Sequence, residues 1–379
     1  MDSVKRRFFL LEKQNLLKKK NSDNILDFIK HHIGLHSTDY LTPYFSLQSR
    51  LKDFNPAELF DLIVKKKDVV RFRAYRATLF ILHKDDITLA IESTREHRIK
   101  RITEGKKLFK NAVDFDEFEQ KLLSTLSGRQ MTNKELFEEL GTEIPKEIFR
   151  FIVQITDTNG LIVRTKQRYI TDKTIRYGLV NEWISSVKQQ VLTEEDAIRK
   201  IFLRYVKLFG PVCLEDFCWW LPTKKTIAKE ILDDFSDKLE MLDIDGIQYF
   251  MLKDDYRILE DFDFEDYPEI IVNFLPYEDH FAKGYKKRDW YISDEVKSKL
   301  FGVKGIDRGE IRPSIWLNGE IVGRWEYEWI DKKKTAMKIV IPYLNDRVIT
   351  DTARELIEQN RVELENFTNE KLVPLIKMR

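Results

Sequence analysis

The sequence has 379 residues, with 65 Lys+Arg against 64 Asp+Glu, a formal net charge of +1, and 42% hydrophobic and 12% aromatic residues. Disorder needs low hydrophobicity and high net charge, so this composition excludes it, and no apolar run reaches the roughly 18 residues of a membrane span. Cys213 and Cys218 are the only cysteines, which excludes a disulfide framework and a cysteine-built zinc site.

The opening MDSVKRRFFLLEKQ has no signal-peptide apolar core or cleavage site, which leads to the expectation of a cytosolic chain, and at about 100–200 residues per domain the length suggests two to four domains. Residues 5–33 carry apolar positions at helical spacing, ending near Gly34. PYFSLQSRL is a second helical stretch with Asp39 or Thr42 as its cap. FNPAELFDLIVKKK is a third, with Asn55 capping and Pro56 in its first turn. DVVRFRAYRATLFILH then reads as a strand pair, followed by a short helix from about Asp85. Three helices and a hairpin are the content of a winged helix.

The same order recurs in MTNKELFEEL, IPKEIFRFIVQITDT, a turn at Asn159-Gly160 and a basic strand. It recurs again in TEEDAIRKIFLRYVKLFG, capped by Thr193 and Asp196, then CLEDFCWWLP, KKTIAKEILDDFSD and a hairpin turning at Asp245-Gly246. An acidic stretch from about Asp254 to Glu269 reads as a linker. Beyond it come the strand-like IIVNFLP, RPSIWLNGEIVGRWEYEWI and AMKIVIPYL, with a hairpin at Asn318-Gly319, and a final helix in DTARELIEQNRVELENF.

Charge is uneven along the chain. Residues 1–110 hold 24 Lys+Arg against 14 Asp+Glu, an excess that draws a polyanion to one part of the molecule. No phosphate-binding glycine loop, zinc motif or nucleophile elbow is present. His36, Ser37, Thr38 and Asp39 instead lie together between two helices, where they can position a water or stabilise a cation, or simply cap the next helix. Arg71, Arg73 and Arg76, interleaved with Phe72 and Tyr75, suit phosphate contact and base stacking, or a solvated strand face. Trp219 and Trp220 read as packing residues, and Asp279, followed by Lys286, Lys287 and Arg288, stays open.

Five segments, GLHSTDYLTPYFSLQSRL, RFRAYRATLFIL, RYVKLFGPVCLEDFCWWLPTKKT, NFLPYEDHFAKGYKKRDWYI and IRPSIWLNGEIVGRW, together resemble the bacterial winged-helix DNA glycosylases, the AlkZ-like and YcaQ-like family. The resemblance implies an α+β protein of three tandem winged-helix units (1–110, 111–190, 191–258) followed by a β-barrel-like domain with a terminal helix (262–379). It implies cleavage of the N-glycosidic bond of alkylated or crosslinked purines. The family's Gln-x-Gln or Gln-x-Asp signature falls on His36-Ser37-Thr38, so this chain departs from it at both positions; Ala77 and Phe80 are further departures.

The resulting expectations are His36, Thr38 and Asp39 as catalytic residues, and Arg50, Arg71, Arg73, Arg76, Lys224, Lys225, Lys286, Lys287 and Arg288 as DNA contacts. The partner is double-stranded, damaged DNA, bound by a monomer away from membranes, in the cytoplasm at the nucleoid, without metal or cofactor. The alternative is a non-catalytic DNA-binding protein that keeps the channel and has lost the chemistry.

Overall fold

Local signals set many of the helices. Asn55 caps the helix Pro56–Asp61 by accepting from the Ala57 N–H, and Pro56 sits where a missing N–H costs nothing. Thr193 likewise accepts from the Asp196 N–H at the start of Glu194–Phe209, and Thr132 and Glu135 form a reciprocal capping box before Asn133–Leu140. The computed structural model describes residues 3–22, 24–109, 113–141, 143–184, 192–263, 265, 267–300 and 309–376; the boundaries expected at 110/111 and 190/191 fall outside them.

Val69–Ala74 and Thr78–His83 form an antiparallel hairpin, and the short strand Leu35–His36 adds to it, with Leu35 opposite Ile81 and His36 opposite Phe80. A second small sheet places Arg176–Leu179 between Met131–Thr132 and Ile162–Arg164. Leu239–Ile244 and Ile247–Leu252 make a third unit, a hairpin turning through Asp245 and Gly246 at φ 54 and 75, both left-handed as a type I′ turn requires.

The C-terminal sheet corrects the barrel expectation. Val272–Leu275, Ser314–Leu317, Glu320–Trp329 and Met337–Leu344 pair antiparallel in that order, and the first and last do not pair, so the sheet is open. Four strands are too few to close around a packed interior. The helix Asp351–Phe367 packs against both edge strands, sharing a core with Phe274 and Ile339 through Ile357 and Leu364.

Other expectations also change. The expected linker begins as a helix, Lys253–Asp261, because Leu259 is buried and Lys13 pairs with Asp255 at 2.7 Å. Thr42–Gln48 starts from Leu41 without a side-chain cap; Asp39 Oδ1 instead accepts from the Leu41 N–H at 2.8 Å. Arg95–Phe109 and Phe115–Leu126 are helices the sequence reading did not name, although the second has Phe115, Phe118, Leu122 and Leu126 buried at helical spacing. Ile99 in the first is exposed, so no continuous apolar stripe marks it. Among the described residues no helix is long and apolar enough to cross a membrane.

One core runs through Leu10, Phe72, Tyr205, Trp220 and Trp316, joining the first helix, the first hairpin, Glu194–Phe209 and the C-terminal sheet. Two reciprocal bonds fasten the segment entering that sheet: the Tyr205 hydroxyl donates to Gly284 O at 2.6 Å, and the Tyr285 hydroxyl to Phe209 O at 2.8 Å. This fastening brings residues 277–283 against the His36 turn.

Candidate active site

The turn after Leu35–His36 is held on all sides. Gly34 has φ +86, and a Cβ there would meet Leu82 at 2.4 Å and Ile81 O at 2.8 Å, so only glycine fits. Ser37 N–H donates to Leu79 O at 2.7 Å. The buried Arg71 guanidinium donates to Ser37 Oγ at 3.0 Å and to Ser37 O, and lies 3.6 Å from the Tyr40 ring centroid. His36 is buried; Thr38 is exposed and Asp39 half-buried.

The group facing His36 comes from far along the chain. Glu278 Oε2 stands 3.7 Å from His36 Nε2 and 2.9 Å from Lys283 Nζ. Its other oxygen, Oε1, accepts from the Ile311 N–H at 2.7 Å, and its own N–H donates to Ile311 O at 2.8 Å. Glu278 has φ 55, a left-handed conformation that costs a non-glycine residue energy and persists only where its surroundings impose it. The two bonds to Ile311 and the anchored neighbour Asp279 hold it there. Asp279 is fully buried, accepts from Arg50 through both oxygens at 2.7 and 2.9 Å, and also accepts from Ser46 Oγ at 2.7 Å and the Phe281 N–H at 3.1 Å.

His36, Glu278 and Lys283 line a cavity of about 320 Å³, near the small end of ligand pockets. Its walls are Tyr75, Phe80, Phe209, Trp219, Trp220 and Tyr277, and its other polar edges include His32, Arg76 and His280. Thr38 reaches its edge only through His36, with Oγ1 3.4 Å from Nε2. Asp39 does not line the cavity, and its Oδ1 is engaged by Leu41.

Burial, then the charges of Lys283 and Arg71, push the His36 imidazole down to about 3, so it is neutral at working pH. Burial likewise holds His32 and His280 well below the usual histidine range, helped by Arg50. Unfolding exposes these rings, which then take up protons below about 6.5. Their contribution to stability is therefore fully present above that value and lost as pH falls below it, for His36 down to about 3. Each titrating ring adds about 1.4 kcal/mol per pH unit to the slope. Denaturation of wild type and of His36→Gln between pH 7.5 and 4.5 should show the variant's slope smaller by about one proton. An unchanged slope would remove His36 from the acid transition.

The basic residues separate into two groups. Arg50 is fully buried and Arg71 nearly so, which corrects their expected place on a DNA-facing surface. Arg73 is tied to the buried Asp157 at 2.7 Å and to Ala77 O, where it braces the hairpin against Lys146–Asn159. The remainder are accessible or at the cavity mouth. Arg76 and Arg288 lie 4.7 and 5.1 Å from the Trp219 ring centroid, with Lys283 at 5.3 Å. Lys224 pairs with Glu96 at 2.7 Å, Lys225 is exposed, and Lys286 and Lys287 stand 3.7 and 3.8 Å from Glu215. Trp220 lines the cavity and also packs on Tyr75 and Tyr205 as expected of a core residue, and Trp219 is cavity wall beneath three cations.

Sequence reasoning missed Glu278, Lys283, His32 and His280. The available signal was a Glu-Asp-His run and a lysine set into the apolar frame NFLPYEDHFAKGY. Among the described residues no group of three or more His, Cys, Asp or Glu could hold a metal ion.

A family model described as "DNA glycosylase AlkZ-like" matches residues 29–365. Among solved structures, the Streptomyces sahachiroi DNA glycosylase AlkZ superposes with a TM-score of 0.77 at 15% identity, covering 100% of this chain and 98% of that one. No curated protein sequence matches the chain.

Proposed function

The chain belongs to the AlkZ-like DNA glycosylase family, and on that premise we propose that it hydrolyses the N-glycosidic bond of an alkylated or bulky purine adduct in DNA. The observation that carries this reading is the meeting of His36, from the signature turn, with Glu278 at the edge of an aromatic-walled cavity. The target base leaves the stack and enters that cavity, where Trp219 and Tyr277 offer ring faces. N-alkylation makes the base a cationic leaving group, so the bond breaks toward an oxocarbenium-like sugar. Glu278 supplies the negative charge expected of Asp39, stabilising that cation and receiving a proton from the attacking water. Neutral His36 orients the water, and Thr38 hydrogen-bonds to His36. The oxygen of water ends on C1′, giving an abasic sugar and free base.

In the same reading, residues 1–110, 111–190 and 191–258 are winged-helix units on one damaged duplex, and 262–379 closes the channel. The cations around Trp219 meet the phosphates. Arg76→Ala combined with Arg288→Ala should then lower the slope of log affinity against log salt by about 2, measured with a labelled duplex from 50 to 300 mM salt. No change would place the DNA elsewhere.

A second reading, a DNA-binding protein without chemistry, is favoured by the exposure of Thr38 and the engagement of Asp39 by Leu41. Base release from alkylated duplex DNA separates the two. His36→Ala should cut release by roughly 10²–10⁴ while DNA affinity holds, since phosphate contacts supply most of it. Wild type releasing no base from any alkylated duplex would leave the second reading.

A further inference from the structure

We propose that Lys283 forms a Schiff base with C1′ of an abasic deoxyribose, making this chain an abasic-site lyase in the same cavity. The proposal rests on the reading above only in placing the sugar beside His36 and Glu278. Lys283 Nζ lies in the cavity wall, 2.9 Å from Glu278 Oε2 and 2.8 Å from Gly309 O. Glu278 in turn stands 3.7 Å from His36 Nε2, so the amine touches the carboxylate assigned to the sugar cation and is two contacts from the residue assigned to the water.

Chemistry singles this group out. A Schiff base needs an unprotonated amine beside a carbonyl, and desolvated lysines supply one. Burial lowers the Lys283 ammonium below its ordinary value, against the opposing pull of Glu278. Arg76, which also lines the cavity, and Arg288, beside Trp219, are guanidiniums and do not add to carbonyls. The abasic sugar supplies the carbonyl, because its cyclic hemiacetal opens to an aldehyde at C1′.

The steps balance without any oxidant or reductant. The Nζ lone pair bonds to C1′, the aldehyde oxygen leaves as water with both amine protons, and a proton taken from solvent gives the protonated imine. Glu278 takes a proton from C2′. The electron pair left behind forms the C1′–C2′ double bond of a neutral enamine as the imine pair moves onto nitrogen. The nitrogen pair then re-forms the imine, the C1′–C2′ pair shifts to C2′–C3′, and the C3′–O bond breaks to release the phosphate. Water hydrolyses the imine, returning the amine and releasing a strand with an unsaturated 3′ aldehyde.

The test is a duplex carrying one abasic site, incubated with the full chain and sodium borohydride. Borohydride reduces the imine to a stable amine, so a covalent protein–DNA complex should form, and peptide mass spectrometry should place the adduct on Lys283. Lys283→Arg keeps the charge and cannot form the imine, so trapping should fall to background in a variant whose melting temperature is unchanged. Absence of a complex with wild type, or an adduct on another amine, overturns the proposal whether or not the variant folds. Base release from alkylated DNA is measured in parallel. Release without trapping leaves hydrolysis standing and removes the lyase; trapping at Lys283 without release supports the lyase and removes the hydrolytic reading.

Discussion

Glu278→Gln is expected to lower base release by roughly 10²–10⁴, the scale of a positioned acid or base, while Asp39→Asn stays near wild type. The contrast follows from what each carboxylate touches. Glu278 Oε2 faces His36 across 3.7 Å at the cavity edge, whereas Asp39 Oδ1 is spent on the Leu41 N–H. Glutamine keeps an oxygen that can accept from the Ile311 N–H, so the loop should hold its shape while the charge and the acceptor that Lys283 uses are lost. Single-turnover release at saturating enzyme isolates the chemical step from DNA binding. If Asp39→Asn proves the more damaging change, the reacting carboxylate is Asp39 and the cavity geometry misleads. The pH profile adds an independent reading: with His36 held near 3, release should show no limb close to 6.5.

What the sequence disclosed and what it hid divide by the range of the interaction. The cap at Asn55, the cap at Thr193 and the Asp245-Gly246 turn are set by residues within a few positions of one another, and each lies where the pattern placed it. The strands of the C-terminal sheet were legible for the same reason. Whether they close into a barrel was not, since closure depends on which edges meet. His36 stood out because histidine, hydroxyls and a carboxylate cluster in one turn. Glu278 belongs to no local cluster of that kind, and its meaning comes from a contact more than two hundred residues distant. Arg50 shows the same limit: a lone arginine at a helix end reads as a DNA contact until its buried partner is known.

Arg50→Met should destabilise the protein by about 3–5 kcal/mol, because it leaves the Asp279 carboxylate buried without its counter-ion. Both side chains are fully buried, and the guanidinium engages both carboxylate oxygens 229 residues along the chain. Adding Asp279→Leu removes the stranded charge, and the double variant should recover much of that loss, since apolar replacements of buried ion pairs are often neutral or better. Recovery should be incomplete: Ser46 Oγ and the Phe281 N–H both lose the acceptor that Asp279 gave them. Activity should not follow stability. Asp279 fixes the segment in which Glu278 holds its left-handed backbone, so base release should stay depressed in the double variant even where folding is restored. Denaturant unfolding and single-turnover release on the same three proteins measure the two effects separately. Wild-type stability in Arg50→Met would mean the pair is solvated and the segment anchored otherwise. Full activity in the double variant would mean Glu278 keeps its place without the ion pair beside it.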